Sequence, residues 1–405
     1  MSRGKIGVAL AGGGPLGAIY EIGALVALDE ALRGVSLSDC DVYVGVSSGA
    51  FMAAGLANGI TPREMYRMFI ESDAADDPFE PQLLLRPALL EYGRRLASLP
   101  RLLGRAASDY LRAPRTHGFV ESFLSLGSAI PTGVFDNAGI GAYLSAILSA
   151  PGRTNDFRAL TRRLYVVATD LDTSEAVAFG AGDWADVPIA RAVQASAALP
   201  GLYPPVEIRG RHFVDGALMK TLHASVALRE GAGLLFCVNA LVPFDAKVAS
   251  RGERAHVGLL VDRGLPTVLS QSFRSLIHSR MKVGMERYRK EFPGADVLLF
   301  EPGRGDAEIF LTNVFSYAGR RHLSEHAYRH TRAELRRRLP ELAPVLARHG
   351  ISIDAEVLAN EHRRLARPTS GHRRTRPRSL GRAARELDRV LQDLEQALKA
   401  QAGRG

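Results

Sequence analysis

Residues 45–49 read Gly45-Val46-Ser47-Ser48-Gly49, the spacing G-x-S-x-G. Between a strand and a helix this spacing forms a nucleophile elbow, a strained turn that lifts the serine hydroxyl above the sheet edge. The residues two before and two after must be small or their side chains collide, and both are glycine here. Ser47 is the candidate nucleophile; the ordinary alternative is a serine that caps a helix. Its hydroxyl needs a proton acceptor. Asp215, in His212-Phe213-Val214-Asp215-Gly216-Ala217, ends a short apolar strand and precedes a glycine turn, a way to present a rigid carboxylate. Asp-Gly is also a common hairpin turn. Two constellations fit a serine and an aspartate in this order: a triad whose histidine follows the acid, or a dyad in which the carboxylate takes the proton directly. His212 lies three positions from Asp215 and should face the opposite side of the strand.

Gly12-Gly13-Gly14-Pro15-Leu16-Gly17 follows a predicted strand and opens a predicted helix. It matches G-x-G-x-x-G, the dinucleotide fingerprint, which requires an acidic residue about 20 positions on, at the end of the second strand. The second strand here runs into the serine elbow, with no carboxylate for a ribose. The other use of such a loop is an oxyanion hole, since glycines let backbone N–H groups approach a reacting oxygen and a helix N-terminus adds positive potential. Pro15 has no N–H, so the donors must precede it. Gly13 and Gly14 are the candidates, with the Ser48 amide as a further one.

The elements around these residues alternate. Short strands are predicted at Lys5–Ala11 and Asp41–Gly45, with helices from about Pro15 to Leu32 and from Ser48 to about Asn58. Strand–turn–helix repeated in this way predicts a parallel or mixed sheet with helices on its faces. Further strands are expected at Leu164–Thr169, Ala176–Phe179, Val206–Ile208, His212–Val214, Gly233–Asn239 and Asp296–Phe300. Helices are expected at about Pro188–Ala197 and over 318–348. Residues 60–135 break the rhythm: leucines alternate with arginines, interrupted by Pro87 and Pro100, which predicts short inserted amphipathic helices. These could form an interfacial surface, leucines in the acyl boundary and arginines on anionic head groups, or pack on the core with their arginines in water.

Three segments, Gly12–Gly17, Gly45–Gly49 and Asp215-Gly216-Ala217, stand in the order and context of the patatin-like phospholipase family, which this chain resembles. Ala195–Val206 resembles the family's helix and loop before the aspartate strand, Ala168–Leu171 the end of its central strand, and Gly133–Asp136 its loop before a short helix. The resemblance covers about residues 5–240 and, more weakly, extends to about 340. It implies a three-layer α/β/α sandwich around a mostly parallel sheet, and a Ser-Asp dyad without histidine. It implies hydrolysis of acyl esters in phospholipids, lysophospholipids or neutral lipids, with no metal and no cofactor. By position Ser47 matches the nucleophile, Asp215 the base, and Gly13 and Gly14 the oxyanion donors; Gly12, Gly17, Gly45, Gly49 and Gly216 match the motif glycines. Leu16 stands where the family usually carries Arg or Lys, and Ala217 replaces a frequent glycine.

Composition bounds the rest. Of 405 residues, 46% are hydrophobic, enough for a large packed core, yet no stretch reaches the roughly 20 apolar residues of a membrane span. The N-terminal glycines read as motif rather than as a signal-peptide cleavage site, so cytoplasmic residence is expected, with peripheral contact at the inner face of the membrane. Cys40 and Cys237 are expected as buried free thiols. The domain organisation expected is a hydrolase domain over 1–345, a basic linker containing Pro and Gly over 346–379, and an amphipathic helix over 380–405. The net charge of +9 is concentrated in the last segments. The basic tail could meet anionic lipid; without interleaved aromatics it does not read as a single-strand nucleic-acid binder, and no specific nucleic-acid partner is expected. Leu380, Leu387 and Leu394 form a short heptad seam suited to self-association. His322-Leu323-Ser324-Glu325-His326, with His330, has an H-x-x-E-H spacing, but the arginines crowding it favour a solvated helix face over a zinc site. The reading from a different class is a catalytically silent lipid-associated scaffold on the same fold.

Overall fold

A computed structural model describes residues 4–71, 84–112, 129–249, 260–312 and 317–365. The leucine seam and the basic linker beyond Leu365 lie outside the described residues. The strands are β1 (Lys5–Leu10), β2 (Leu32–Arg33), β3 (Val42–Val46), β4 (Arg163–Asp170), β5 (Ala176–Phe179), β6 (Val206–Ile208), β7 (Arg211–Asp215), β8 (Ala232–Val238), β9 (Asp296–Phe300) and β10 (Ser352–Ile353). The main helices are α1 (Gly14–Ala31), α2 (Ser48–Ala57), α3 (Leu89–Arg112), α4 (Ile189–Ser196), α5 (Ala224–Arg229), α6 (Leu265–Glu291), α7 (Tyr317–Arg337) and α8 (Leu339–Arg348).

The central sheet has the order β6-β7-β4-β3-β1-β8-β9, with β5 also paired to β4. The run β4-β3-β1-β8-β9 is parallel; β5, β6 and β7 add antiparallel pairs. Side chains alternate between the two faces of each strand. Ile6, Val8 and Leu10 of β1 join one core with Phe236 of β8 and residues of α1, α2 and α7. Ala9 of β1 and Leu235 and Cys237 of β8 join a second core with α5 and with Ile277 and Tyr288 of α6. Helices thus cover both faces, a three-layer α/β/α arrangement. Cys40 and Cys237 are free and buried.

Helix α1 is apolar nearly all round because it is covered twice, by the sheet and by α7. A side chain at Gly23 would strike the Ser324 backbone. Among the described residues no helix is long and apolar enough to cross a membrane.

Two expectations need correction. Pro100 does not interrupt a helix: α3 runs 24 residues straight through it. An interior proline removes one hydrogen bond and crowds the preceding turn, and the turns on either side carry the helix past it. The second is α6, 27 residues long, in a stretch where no helix was predicted.

The chain divides into two compact units. Among the described residues, one lies within Met1–Gln82, Ile140–Ala198 and Val206–Arg367 and holds the whole sheet; the other lies within Leu83–Gly139 and Leu199–Pro205. Within the second, Tyr203 donates to the Leu84 carbonyl at 2.9 Å, and Glu91 pairs with Arg95 and accepts from the Thr132 hydroxyl.

Candidate active site

Ser47 directly follows β3 and precedes α2. Its backbone is at φ 53, ψ −121, one of three described non-glycine residues with positive φ. Such a conformation costs about 1–3 kcal/mol and persists only where its surroundings enforce it. Here the Ser47 amide donates to the Ser196 hydroxyl at 2.8 Å, and that hydroxyl donates to the Val167 carbonyl of β4 at 2.6 Å. Ser196, at the end of α4, thereby ties the elbow to the neighbouring strand. The flanking glycines are sterically required. A Cβ on Gly45 would collide with Ala50, and one on Gly49 would lie 2.5 Å from the Leu10 carbonyl. Gly49→Ala is therefore expected to lower unfolding free energy by about 3 kcal/mol, read as a drop in urea midpoint; an unchanged midpoint would show that the turn relaxes freely.

The sheet brings Asp215 to this turn. Val166 of β4 pairs with Gly45 on one edge and Phe179 on the other. Ala168 pairs with Val177 of β5 and with Asp215 of β7. Strand β7 therefore lies on the same edge of β4 as β3. It runs in from the opposite direction, placing Asp215 opposite Ala168 while Val46 sits opposite Val167. The two candidate residues meet end to end on adjacent rungs.

Asp215 is 4% exposed. Its amide donates to the Ala198 carbonyl at 3.0 Å, its carbonyl accepts from the Thr169 hydroxyl at 3.2 Å, and its Oδ1 accepts from the Ala217 amide at 2.8 Å. Burial pushes the carboxyl pKa up to about 6, against the lowering effects of the Ala217 amide and the Ser47 side chain. The carboxylate and the serine hydroxyl thus interact, in a setting that holds the acid near the range where a general base works. A side chain at Gly216 would strike the Val167 carbonyl.

The glycine loop closes over the same point. A Cβ on Gly12 would lie 3.2 Å from that of Ser47 and 3.1 Å from that of Ala217. The Gly12 amide donates to the Thr221 carbonyl, which ties the loop to the segment after Asp215. Among the described residues no acceptor is found for the Gly13 and Gly14 amides, at the N-terminus of α1. Gly14, at φ 58, opens on free space. Gly17 packs against Ser48 of the elbow; a Cβ there would lie 3.1 Å from its hydroxyl. Gly13 and Gly14 thus stand ahead of Pro15 at the N-terminus of α1. Below the loop, Glu21 is fully buried, and burial pushes its carboxyl well above the ordinary range.

His212 is exposed on the strand that ends in Asp215. His223 is buried, contacts the Gly216 backbone, and is pushed by burial down to about 4, so it is neutral. It supports the turn that carries Asp215. Sequence reasoning missed Ser196, Thr169 and His223; their hydroxyls and ring meet the site through backbone atoms, and such contacts leave no spacing signal. The histidines of α7 lie elsewhere, along a cleft of about 720 Å³ that contains neither Ser47 nor Asp215. His326 is held between Asp306 and Glu308 at 2.6 and 2.7 Å. Among the described residues no group of three or more His, Cys, Asp or Glu is arranged to hold a metal.

The profile of one family, described as Patatin-like phospholipase, matches residues 8–228, more than half of the chain. The chain belongs to the patatin-like phospholipase family. The match begins in β1 of this patatin-like chain and ends in α5, so it includes the glycine loop, the elbow and the aspartate turn. Uncharacterized NTE family proteins of Mycobacterium tuberculosis and Mycobacterium bovis are each 26% identical over 196 residues, 48% of this chain and 30% of theirs. The chain thus aligns with less than a third of the length of these relatives. Among solved structures, the type III effector ExoU is similar at 17% identity and a TM-score of 0.35, over 83% of this chain and 53% of that one. VipD from Legionella pneumophila is similar at 19% identity and a TM-score of 0.32, over 62% and 52%. Human GIVD cytosolic phospholipase A2 is similar at 17% identity and a TM-score of 0.27, over 62% and 42%.

Proposed function

We propose that the chain is a serine lipid acyl hydrolase of the phospholipase A or lysophospholipase type, acting through a Ser47–Asp215 dyad. The observation that carries this reading is the buried Asp215 carboxyl, raised to about 6 and interacting with a serine in an elbow conformation. Ser47 Oγ attacks the ester carbonyl and its proton passes to Asp215. The Gly13 and Gly14 amides receive the oxyanion, with the Ser48 amide as a further donor. Collapse of the tetrahedral intermediate breaks the ester bond, and Asp215 returns the proton to the departing alcohol. Water then attacks the acyl-serine, giving its proton to Asp215. The fatty acid leaves, and the proton returns to Ser47. No step requires a metal or cofactor. Phospholipid or another acyl-ester lipid is the proposed substrate, met at an anionic membrane surface from the cytoplasmic side.

Hydrolysis of p-nitrophenyl esters of increasing acyl length tests the reaction. A general base works only when deprotonated, so kcat/KM should rise with pH through an apparent pKa near 6, set by Asp215. An acidic limb that persists unchanged without Asp215 would assign it to another group. A folded chain inactive on both soluble esters and phospholipid vesicles would favour the silent scaffold.

A further inference from the structure

Helix α6 has two apolar faces, centred about 110° apart at 100° per residue. One face, with Ile277, Met281 and Tyr288, is buried and joins the second core through Ile277 and Tyr288. At 100° per residue, Leu265, Leu269, Phe273, Leu276 and Val283 fall on the second face, within about 80° of arc. These five are 68%, 46%, 40%, 52% and 67% exposed. A water-facing helix surface ordinarily carries polar residues, and a contiguous exposed apolar stripe marks an interaction surface. The stripe also carries positive charge. Arg280 falls within its arc and Lys290 about 20° from its edge, while Arg287, also within the arc, is paired with Glu291. Apolar residues flanked by arginine and lysine form the pattern that lies in the head-group boundary of an anionic bilayer.

The helix is also joined to the candidate site. Arg280 donates to the Leu218 carbonyl at 3.0 Å, three residues past Asp215. Tyr288 donates to Leu222 at 3.5 Å. The Thr221 carbonyl between these two contacts accepts from Gly12 of the glycine loop. Exposed Met219 belongs to the same segment.

We infer that the outward face of α6 is the surface on which this protein docks on an anionic lipid bilayer, with the Asp215 turn held against the docked helix. Its link to catalysis rests on the proposed hydrolase function; its binding to a bilayer does not. Leu276 and Val283 are more than half exposed, so Leu276→Glu/Val283→Glu should fold with an unchanged thermal midpoint.

In co-sedimentation with phosphatidylcholine vesicles containing phosphatidylglycerol, the pair should weaken binding by about ten-fold or more, also when carried on an inactive Ser47→Ala chain. Wild-type binding should weaken on pure phosphatidylcholine and in high salt. Hydrolysis of vesicle phospholipid should fall in parallel, and that of a short soluble p-nitrophenyl ester should not. Loss of vesicle binding by the pair, in a chain that hydrolyses no ester, would uphold docking and sink the hydrolase function alone. Unchanged vesicle binding by the pair would overturn the inference. So would loss of binding from Leu96→Glu on α3 instead, or a wild-type dimer that the α6 pair dissociates and that binds no vesicles.

Discussion

Asp215→Asn is expected to lower kcat/KM on p-nitrophenyl esters by about 10²–10⁴, the usual contribution of a positioned general base. Ser47→Ala should cost about four orders of magnitude or more, because the nucleophile and its activated proton are lost together. Asparagine is the informative replacement at 215. It matches aspartate in shape, and its carbonyl oxygen can still accept from the Ala217 amide that now bonds Oδ1 at 2.8 Å. The turn should stay intact while the proton acceptor disappears. The two effects should not add, since each residue acts only through the other: the double variant should be no slower than Ser47→Ala. Near-normal turnover by Asp215→Asn would remove Asp215 from the mechanism and return attention to the histidines.

The same substitution should make the fold more stable at about pH 8. Burial raises the Asp215 pKa from 3.8 to about 6. Between those values the folded chain keeps a proton that the unfolded chain has released, so stability falls as pH rises through that window. Above it the penalty is constant, at about 3 kcal/mol for a shift of about two units. Asparagine carries no such penalty. Urea unfolding should show Asp215→Asn more stable than wild type by up to about 3 kcal/mol at about pH 8, with the difference vanishing near pH 4. A variant less stable than wild type at about pH 8 would mean that the carboxylate is held by favourable interactions stronger than its burial. This conflict between activity and stability is characteristic of catalytic groups.

What could be read from the sequence follows from which interactions leave a periodic trace. Strands β1, β3, β4 and β8 carry short, largely apolar runs, so their ranges are legible to within a residue or two. The elbow and the glycine loop were legible because collisions across a tight turn, such as Gly49 against Leu10, restrict residue type at fixed spacing. Helix α6 was not. Arg280 and Arg287 fall within its apolar arc at 100° per residue, so the signal that identifies an ordinary surface helix is weakened. In the sequence Pro100 reads as a stop, whereas α3 runs through it. The β4–β7 pairing that unites Ser47 with Asp215 joins residues far apart in the chain, and only the resemblance to a family had pointed to it.

The end-to-end meeting of β3 and β7 on one edge of β4 has a consequence for how the sequence can change. The backbone separation of the proposed pair is set by strand register. Adding one residue within β7 ahead of Asp215 would turn its side chain to the other face of the sheet. Adding several within 171–175, between β4 and β5, would leave both rungs where they are. Variation in length should therefore be absorbed by the connections, while the count of residues inside β3 and β7 behaves as part of the catalytic apparatus.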